Sequence, residues 1–190
     1  MRPSHSVPMP LQHIHQIGSH ARLGLWRMEE DADEKPRQRE RMAVKRLLEA
    51  MTGDVSLTIG HEPSGKPFLT NGQAISISHT KGYATLLLAD SGRVGIDIEM
   101  CSDRVERIAS RFLRHDEQAV TTSEKLLIWS AKEALFKFYS EDNLLFHDMR
   151  TLAIGDTVLQ MENMKRGVVV DVHYEFTPDY VLTYLWTKSE

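Results

Sequence analysis

The chain has a single cysteine, Cys101. No intrachain disulfide can form, a reducing compartment suits it, and the thiol is expected to be a small half-buried side chain without chemistry. Positive charge is not in excess either: 23 Lys and Arg against 27 Asp and Glu leave a net charge of −4. That removes the broad basic field on which nucleic-acid binding depends. No apolar run approaches the ~20 residues a membrane span needs. The opening MRPSHSVPMPLQHIHQ also lacks the hydrophobic stretch of a secretory signal. A cytoplasmic protein with no nucleic-acid or membrane partner is therefore expected. Four histidines, His5, His13, His15 and His20, crowd the first twenty residues. Their spacing follows no zinc-ligand pattern, so surface or strand positions are expected for them.

What is present is ordinary in amount and ordered in pattern. Hydrophobic residues make up 41% and charged residues 26% of 190, enough for one substantial core or two small, closely packed lobes. LQHIHQIG and ARLGLWRM read as an opening hairpin turning near Gly18. Met42, Val44, Leu47, Leu48 and Met51 then recur at helical spacing, with Gly53 as the stop. VSLTIG, AISISHT, YATLLLAD and RVGIDIE are four strand candidates separated by glycine-bearing turns. SDRVERIASRFLRHDE predicts a second amphipathic helix, capped by Ser102 and burying Val105, Ile108, Ala109 and Phe112. SEKLLIWSAKEALFKFYS predicts a third, capped by Ser123 and burying Ile128, Ala131, Leu135 and Phe138. TLAIGDTVLQMENM, GVVVDVHYEF and YVLTYLWTK return to strands. The order β, α, ββββ, αα, βββ points to an α+β fold rather than a doubly wound parallel sheet.

Chemistry collects at two places. In RVGIDIEM, Asp97 and Glu99 alternate with Ile96 and Ile98, so the two acids share one strand face. Two readings are open: a solvated face of an edge strand, or oxygen donors for a hard divalent ion such as magnesium. In WSAKEALFK, Trp129, Glu133 and Lys137 follow one another at single turns along one helix side. Glu133 and Lys137 are either an exposed i, i+4 ion pair or a third acid joined by a cation that faces a phosphate. SGKPFL presents Lys66 on a rigid turn between Gly65 and Pro67. SISHT ends a strand with Ser78 and His79, both able to hydrogen-bond phosphate oxygens.

In this order GKP, SISHT, VGIDIE, RFLRHDE and WSAKEALFK resemble the motifs of the 4′-phosphopantetheinyl transferase superfamily. The likeness is to the longer single-chain, surfactin-synthetase-activating type rather than the short trimeric one, and covers about residues 60 to 140. At 190 residues the chain is short for that type, which implies a trimmed C-terminal lobe. The resemblance implies two similar, pseudo-twofold-related α+β lobes, each a small antiparallel sheet packed with helix. They would span residues 1–90 and 91–190, the second carrying the metal-binding motifs, with coenzyme A in the cleft between. It implies that Asp97, Glu99 and Glu133 are the magnesium ligands and that Lys137 reaches the pyrophosphate. Ser78 and His79 become phosphate contacts, while Gly65, Lys66 and Pro67 form the turn beside the adenine and the 3′-phosphate. Arg37 and Arg41 are candidates for the basic residues that hold that 3′-phosphate.

The implied activity is transfer of 4′-phosphopantetheine from coenzyme A to a serine of an apo acyl or peptidyl carrier protein. It depends on magnesium and releases 3′,5′-ADP. Glu133 is the candidate base and a monomer is expected. The alternatives are a non-catalytic homologue that binds coenzyme A or a carrier protein, and a magnesium-dependent phosphohydrolase. The complete set of three acids plus Lys137 favours the transferase over the first. Arg104, Arg107, Arg111 and Arg114 form a basic stripe on the second helix, a candidate surface for an acidic carrier.

Overall fold

The computed structural model describes residues 12–29 and 35–187; His5 lies outside them. The opening hairpin forms as the pattern predicts, with β1 (Gln12–Ile17) antiparallel to β2 (Ala21–Arg27). Helix α1 (Pro36–Thr52) begins on a proline, whose missing amide costs nothing in a first turn, and stops where Gly53 takes a left-handed φ of 72°. Val44, Leu47, Leu48 and Met51 are buried as expected, but Met42 is 42% exposed and Ala43 is buried instead. The apolar stripe is thus narrower than the periodicity suggested, with Met42 outside the packed cluster.

VSLTIG contributes only the three-residue strand β3 (Ile59–His61), paired with an equally short β4 (Pro67–Leu69) that the sequence did not reveal. Strands β5 (Ala74–Thr80), β6 (Tyr83–Ala89) and β7 (Arg93–Met100) follow as expected. The second predicted helix is broken. A 3-10 turn over Asp103–Arg107 ends at Ile108, whose ψ of 0° departs from helical geometry, and a single α turn, α2 (Ala109–Phe112), follows. Ser102 makes no capping hydrogen bond, and Ile108 and Ala109 are only partly buried. Helix α3 (Thr122–Phe138) is capped by Thr121 rather than Ser123. The Thr121 hydroxyl and the Glu124 carboxylate satisfy each other's backbone amides in a capping box. Four strands close the chain, where three were expected: β8 (Met149–Ile154), β9 (Val158–Asn163), β10 (Val168–Phe176) and β11 (Tyr180–Thr187). The extra one arises because TLAIGDTVLQMENM folds back on itself.

The fold is α+β, with antiparallel sheets. One sheet has the order β1-β2-β6-β5 and the other β7-β11-β10-β9-β8, with β3-β4 a separate ribbon. Helix α1 covers one face of the first sheet, packing Leu47, Leu48 and Met51 against Trp26, Ala84, Leu86 and Leu88. Helix α3 covers one face of the second, packing Ile128, Ala131, Leu135 and Phe138 against Leu159, Val172, Val181 and Leu185. The uncovered faces meet through a third cluster in which Leu23, Leu25 and Leu87 face Val94, Ile96, Ile98 and Leu182. No helix among the described residues is long and apolar enough to cross a membrane.

The two sheets touch along β5 and β7 without a backbone ladder. Hydroxyls at alternate positions of β5 serve the open edge of β7 instead. Ser76 Oγ accepts from the Ile96 amide at 3.1 Å and Thr80 Oγ1 from the Met100 amide at 3.2 Å. The polar half of AISISHT therefore faces the second sheet, while Ile75 and Ile77 lie with the α1 cluster.

Candidate active site

Asp97 and Glu99 are on the β7 face that α3 covers, opposite Val94, Ile96 and Ile98. Gly95 is on that same face and permits the contact, since a Cβ there would stand 2.2 Å from the Ala134 carbonyl oxygen. This close seat brings Lys137 and Glu133 over the strand acids. The solvated-edge reading of the acids fails, because Asp97 is only 4% exposed.

Asp97 is held from three directions. Its Oδ1 accepts from Ser78 Oγ at 2.9 Å and from Lys137 Nζ at 2.8 Å, and its Oδ2 accepts from Ser130 Oγ at 2.9 Å. Lys137 Nζ also donates to the Ile96 carbonyl at 2.9 Å, so its ion pair is with Asp97, not with Glu133 one turn back. Glu99 Oε1 accepts from the Trp129 indole N–H at 2.8 Å, and that indole packs on Phe112 and Phe146. Burial pushes the Glu99 carboxyl up, and the neighbouring Asp97 adds to the shift. Glu133 is pushed up to about 7, first by burial and then by Asp97 and Glu99, against the pull of Lys137. Glu133 thus resists ionising first because it is buried, and then because three carboxylates and one ammonium leave this cluster short of positive charge.

An all-oxygen, anionic donor set of this kind fits a hard divalent cation in charge and chemistry. The ligand shell itself is not assembled: no group of three or more His, Cys, Asp or Glu side chains among the described residues is gathered as metal ligands would be.

Lys137 connects the acids to a cleft of about 500 Å³ lined by Gly65, Lys66, Pro67, Ser78, His79, Phe136, Lys137, Ser140 and Asn143. The turn that offers Lys66 is closed by Gly65 at φ 88° and by the Gly65 amide donating to the Glu62 carbonyl at 2.8 Å. A second cleft of about 820 Å³ shares His61, Ile77 and His79 with the first, and adds Arg37, Glu40, Arg41 and Lys45. His79 Nδ1 is 3.6 Å from Glu40 Oε1 on α1. The two clefts thus gather Gly65, Lys66, Pro67, Ser78, His79, Lys137, Arg37 and Arg41. Asp97, Glu99 and Glu133 are behind Lys137 and are not among the lining residues.

Sequence reasoning missed Ser130 and Thr183, whose hydroxyls are 2.9 Å apart behind Asp97. The available signal was a serine one turn before Glu133 on α3 and a threonine in the strand YVLTYL. It also missed the cleft wall after α3, Ser140 and Asn143, where Asn143 has a left-handed φ of 47°. The arginine stripe does not survive the break at Ile108. Arg114 is turned away to Asp116, at 2.8 Å, and to the His147 carbonyl.

The class of protein set by these elements is an α+β protein with a carboxylate cluster beside a polar cleft. Comparison carries this further: residues 93–185 match the family model of the 4′-phosphopantetheinyl transferase superfamily. The match begins at β7, includes the acids, α3 and Lys137, and ends within β11. That superfamily moves phosphopantetheine from coenzyme A onto carrier proteins. No curated protein matches the chain.

Proposed function

We propose that the protein transfers 4′-phosphopantetheine from coenzyme A to a serine of an apo carrier protein, as a transferase of the long single-chain, surfactin-synthetase-activating type. The observation that carries this reading is the junction at Lys137: its ammonium lies on Asp97, among the clustered acids, and its side chain lines the cleft that also holds Lys66 and His79. In this reading residues 1–90 and 91–190 are two pseudo-twofold-related lobes of a cytoplasmic monomer, with coenzyme A between them. Lys66, His79, Arg37 and Arg41 take the 3′-phosphate and adenine end, and Lys137 reaches the diphosphate. Charge-assisted hydrogen bonds of this kind fix the substrate's orientation, and positioning supplies most of the rate in phosphoryl transfer.

The carrier serine oxygen forms a bond to the β-phosphorus while the bond to the bridging oxygen breaks, and 3′,5′-ADP leaves. Glu133 is the group that accepts the serine proton, directly or through a water. Asp97, Glu99 and Glu133 would hold magnesium, which offsets charge on the phosphoryl oxygens when bound. Trp129 keeps Glu99 oriented by its indole N–H. Arg104, Arg107 and Arg111, all exposed on the segment that follows β7, would offer the carrier a basic surface.

The test is to incubate the protein with coenzyme A, magnesium and a panel of apo carriers, and to weigh the products. A carrier heavier by one phosphopantetheine supports the reading. Free phosphopantetheine with unmodified carriers would replace transfer by hydrolysis.

A further inference from the structure

Ser78 and His79 are neighbours on β5, and a strand sends successive side chains to opposite faces. His79 goes toward Glu40 on α1, while Ser78 goes to Asp97 on β7. A serine hydroxyl carries one proton, and Ser78 gives it to Asp97 Oδ1 at 2.9 Å. An ionised phosphate oxygen only accepts hydrogen bonds. The same hydroxyl cannot serve both at once.

Ser130 is on the other side of the same carboxylate. Its proton goes to Asp97 Oδ2 at 2.9 Å, so the 2.9 Å contact with Thr183 Oγ1 is Thr183 donating to Ser130. Ser130 and Thr183 are 0% exposed and Ser78 is 8% exposed, which leaves little room for water to replace a lost donor. The hydroxyls come from β5, α3 and β11, and they converge on one acid of β7.

We propose that Ser78 and Ser130 are positioning residues that clamp the two oxygens of the Asp97 carboxylate, and that Ser78 is not a phosphate contact. The clamp carries the first sheet's edge into the carboxylate cluster. Its catalytic consequence rests on the transferase reading above. His79 alone of the pair is then left to read a phosphate in the cleft.

The experiment separates kcat from KM. Ser78→Ala should lower kcat by about tenfold, the scale of a lost hydrogen bond to a charged group, while KM for coenzyme A and its calorimetric Kd change by less than about twofold. Ser78→Thr should restore kcat. Ser130→Ala should act as Ser78→Ala does, although Ser130 does not line the cleft. A tenfold weaker Kd for coenzyme A in Ser78→Ala, with kcat kept and Ser130→Ala silent, would make Ser78 a ligand contact and overturn the proposal. Ser78→Cys, close in volume and a weaker donor, takes the place of Ser78→Ala if that variant does not fold. If the wild type transfers nothing, the transferase reading fails by itself. The clamp is then read from urea unfolding of Ser78→Ala, Asp97→Ala and the pair. Non-additive unfolding free energies support it, and additive ones overturn it.

Discussion

Each sheet carries one 17-residue helix on its outer face, and each helix is seated over a glycine, but the two seats differ in kind. Above Gly24 of β2, an added Cβ would meet the Met51 sulfur at 2.5 Å and Leu47 Cδ1 at 2.9 Å, both flexible ends of side chains. Above Gly95 of β7 it would meet the Ala134 carbonyl oxygen at 2.2 Å and Phe138 Cβ at 2.8 Å, neither of which can rotate away. The α1 side is thus an adjustable hydrophobic packing, whose polar rim offers Arg37 and Arg41 to a cleft. The α3 side is a fixed backbone approach that sets Glu133 and Lys137 against Asp97. A binding surface tolerates small shifts, whereas a charged cluster does not.

The largest effect should come from the rigid side. Asp97→Ala or Glu133→Gln is expected to abolish carrier modification while the protein stays folded. Full activity in either variant, or undiminished activity in excess chelator, would move the chemistry elsewhere. Next comes the direct contrast of the two seats. Gly95→Ala should cost about 3 kcal/mol in urea unfolding and Gly24→Ala about 1 kcal/mol. Equal costs would erase the difference between them.

Lys66→Ala and His79→Ala, on the adjustable side, should raise KM for coenzyme A about tenfold with kcat kept. The loss should shrink with 3′-dephospho-coenzyme A. If His79→Ala weakens both substrates equally, the histidine does not read that phosphate.

Acidity sharpens the same contrast. Glu133 titrates near 7 in the fold and near 4.5 when unfolded, so between those values the folded protein holds a proton that the unfolded chain has lost. Stability measured in chelator should therefore fall as pH rises from about 4.5 to about 7, and Glu133→Gln should flatten that slope. Glu99, raised in the same direction, leaves a remainder in the variant. Added magnesium should raise the melting temperature more at pH 8 than at pH 6, because protons and the cation compete for one set of carboxylates. A slope of opposite sign would contradict the buried, charge-poor setting of Glu133. The smallest change is expected from Arg107→Glu and Arg111→Glu. They should raise KM for the carrier a few-fold and leave that for coenzyme A unchanged, with the wild type the more salt-sensitive.

Much of this was legible where one face is apolar over several turns. The stripe of α1 with its terminal glycine and the stripe of α3 both announced themselves, as did the alternation that puts Asp97 and Glu99 on one strand face and the spacing that puts Glu133 and Lys137 on one side of α3. The stretch from Ser102 to Glu117 was misread because its apolar spacing is helical on either side of Ile108, and periodicity does not register one residue whose ψ is 0°. Strand β4 is three residues long and begins with proline, too short for any pattern. Lys132 was invisible for another reason. It is fully buried, and its ammonium is held by Glu117 at 2.6 Å and the Phe112 carbonyl at 2.7 Å, contacts that span 15 and 20 residues and leave no local trace. The hydroxyls around Asp97 were hidden in the same way, since Ser78, Ser130 and Thr183 come from three distant elements.

The seam between β5 and β7 has a consequence for solubility. Each of these strands ends its sheet, and an unpaired strand edge is a template on which a second molecule can build. By capping the Ile96 and Met100 amides, Ser76 and Thr80 make each edge the other's cover, with side chains in place of a ladder. Valine at either position would keep strand propensity and would leave a β7 amide without its hydroxyl acceptor. The seam thus covers one edge of each sheet with two side-chain hydroxyls, and leaves β1 and β8 as the outer edges.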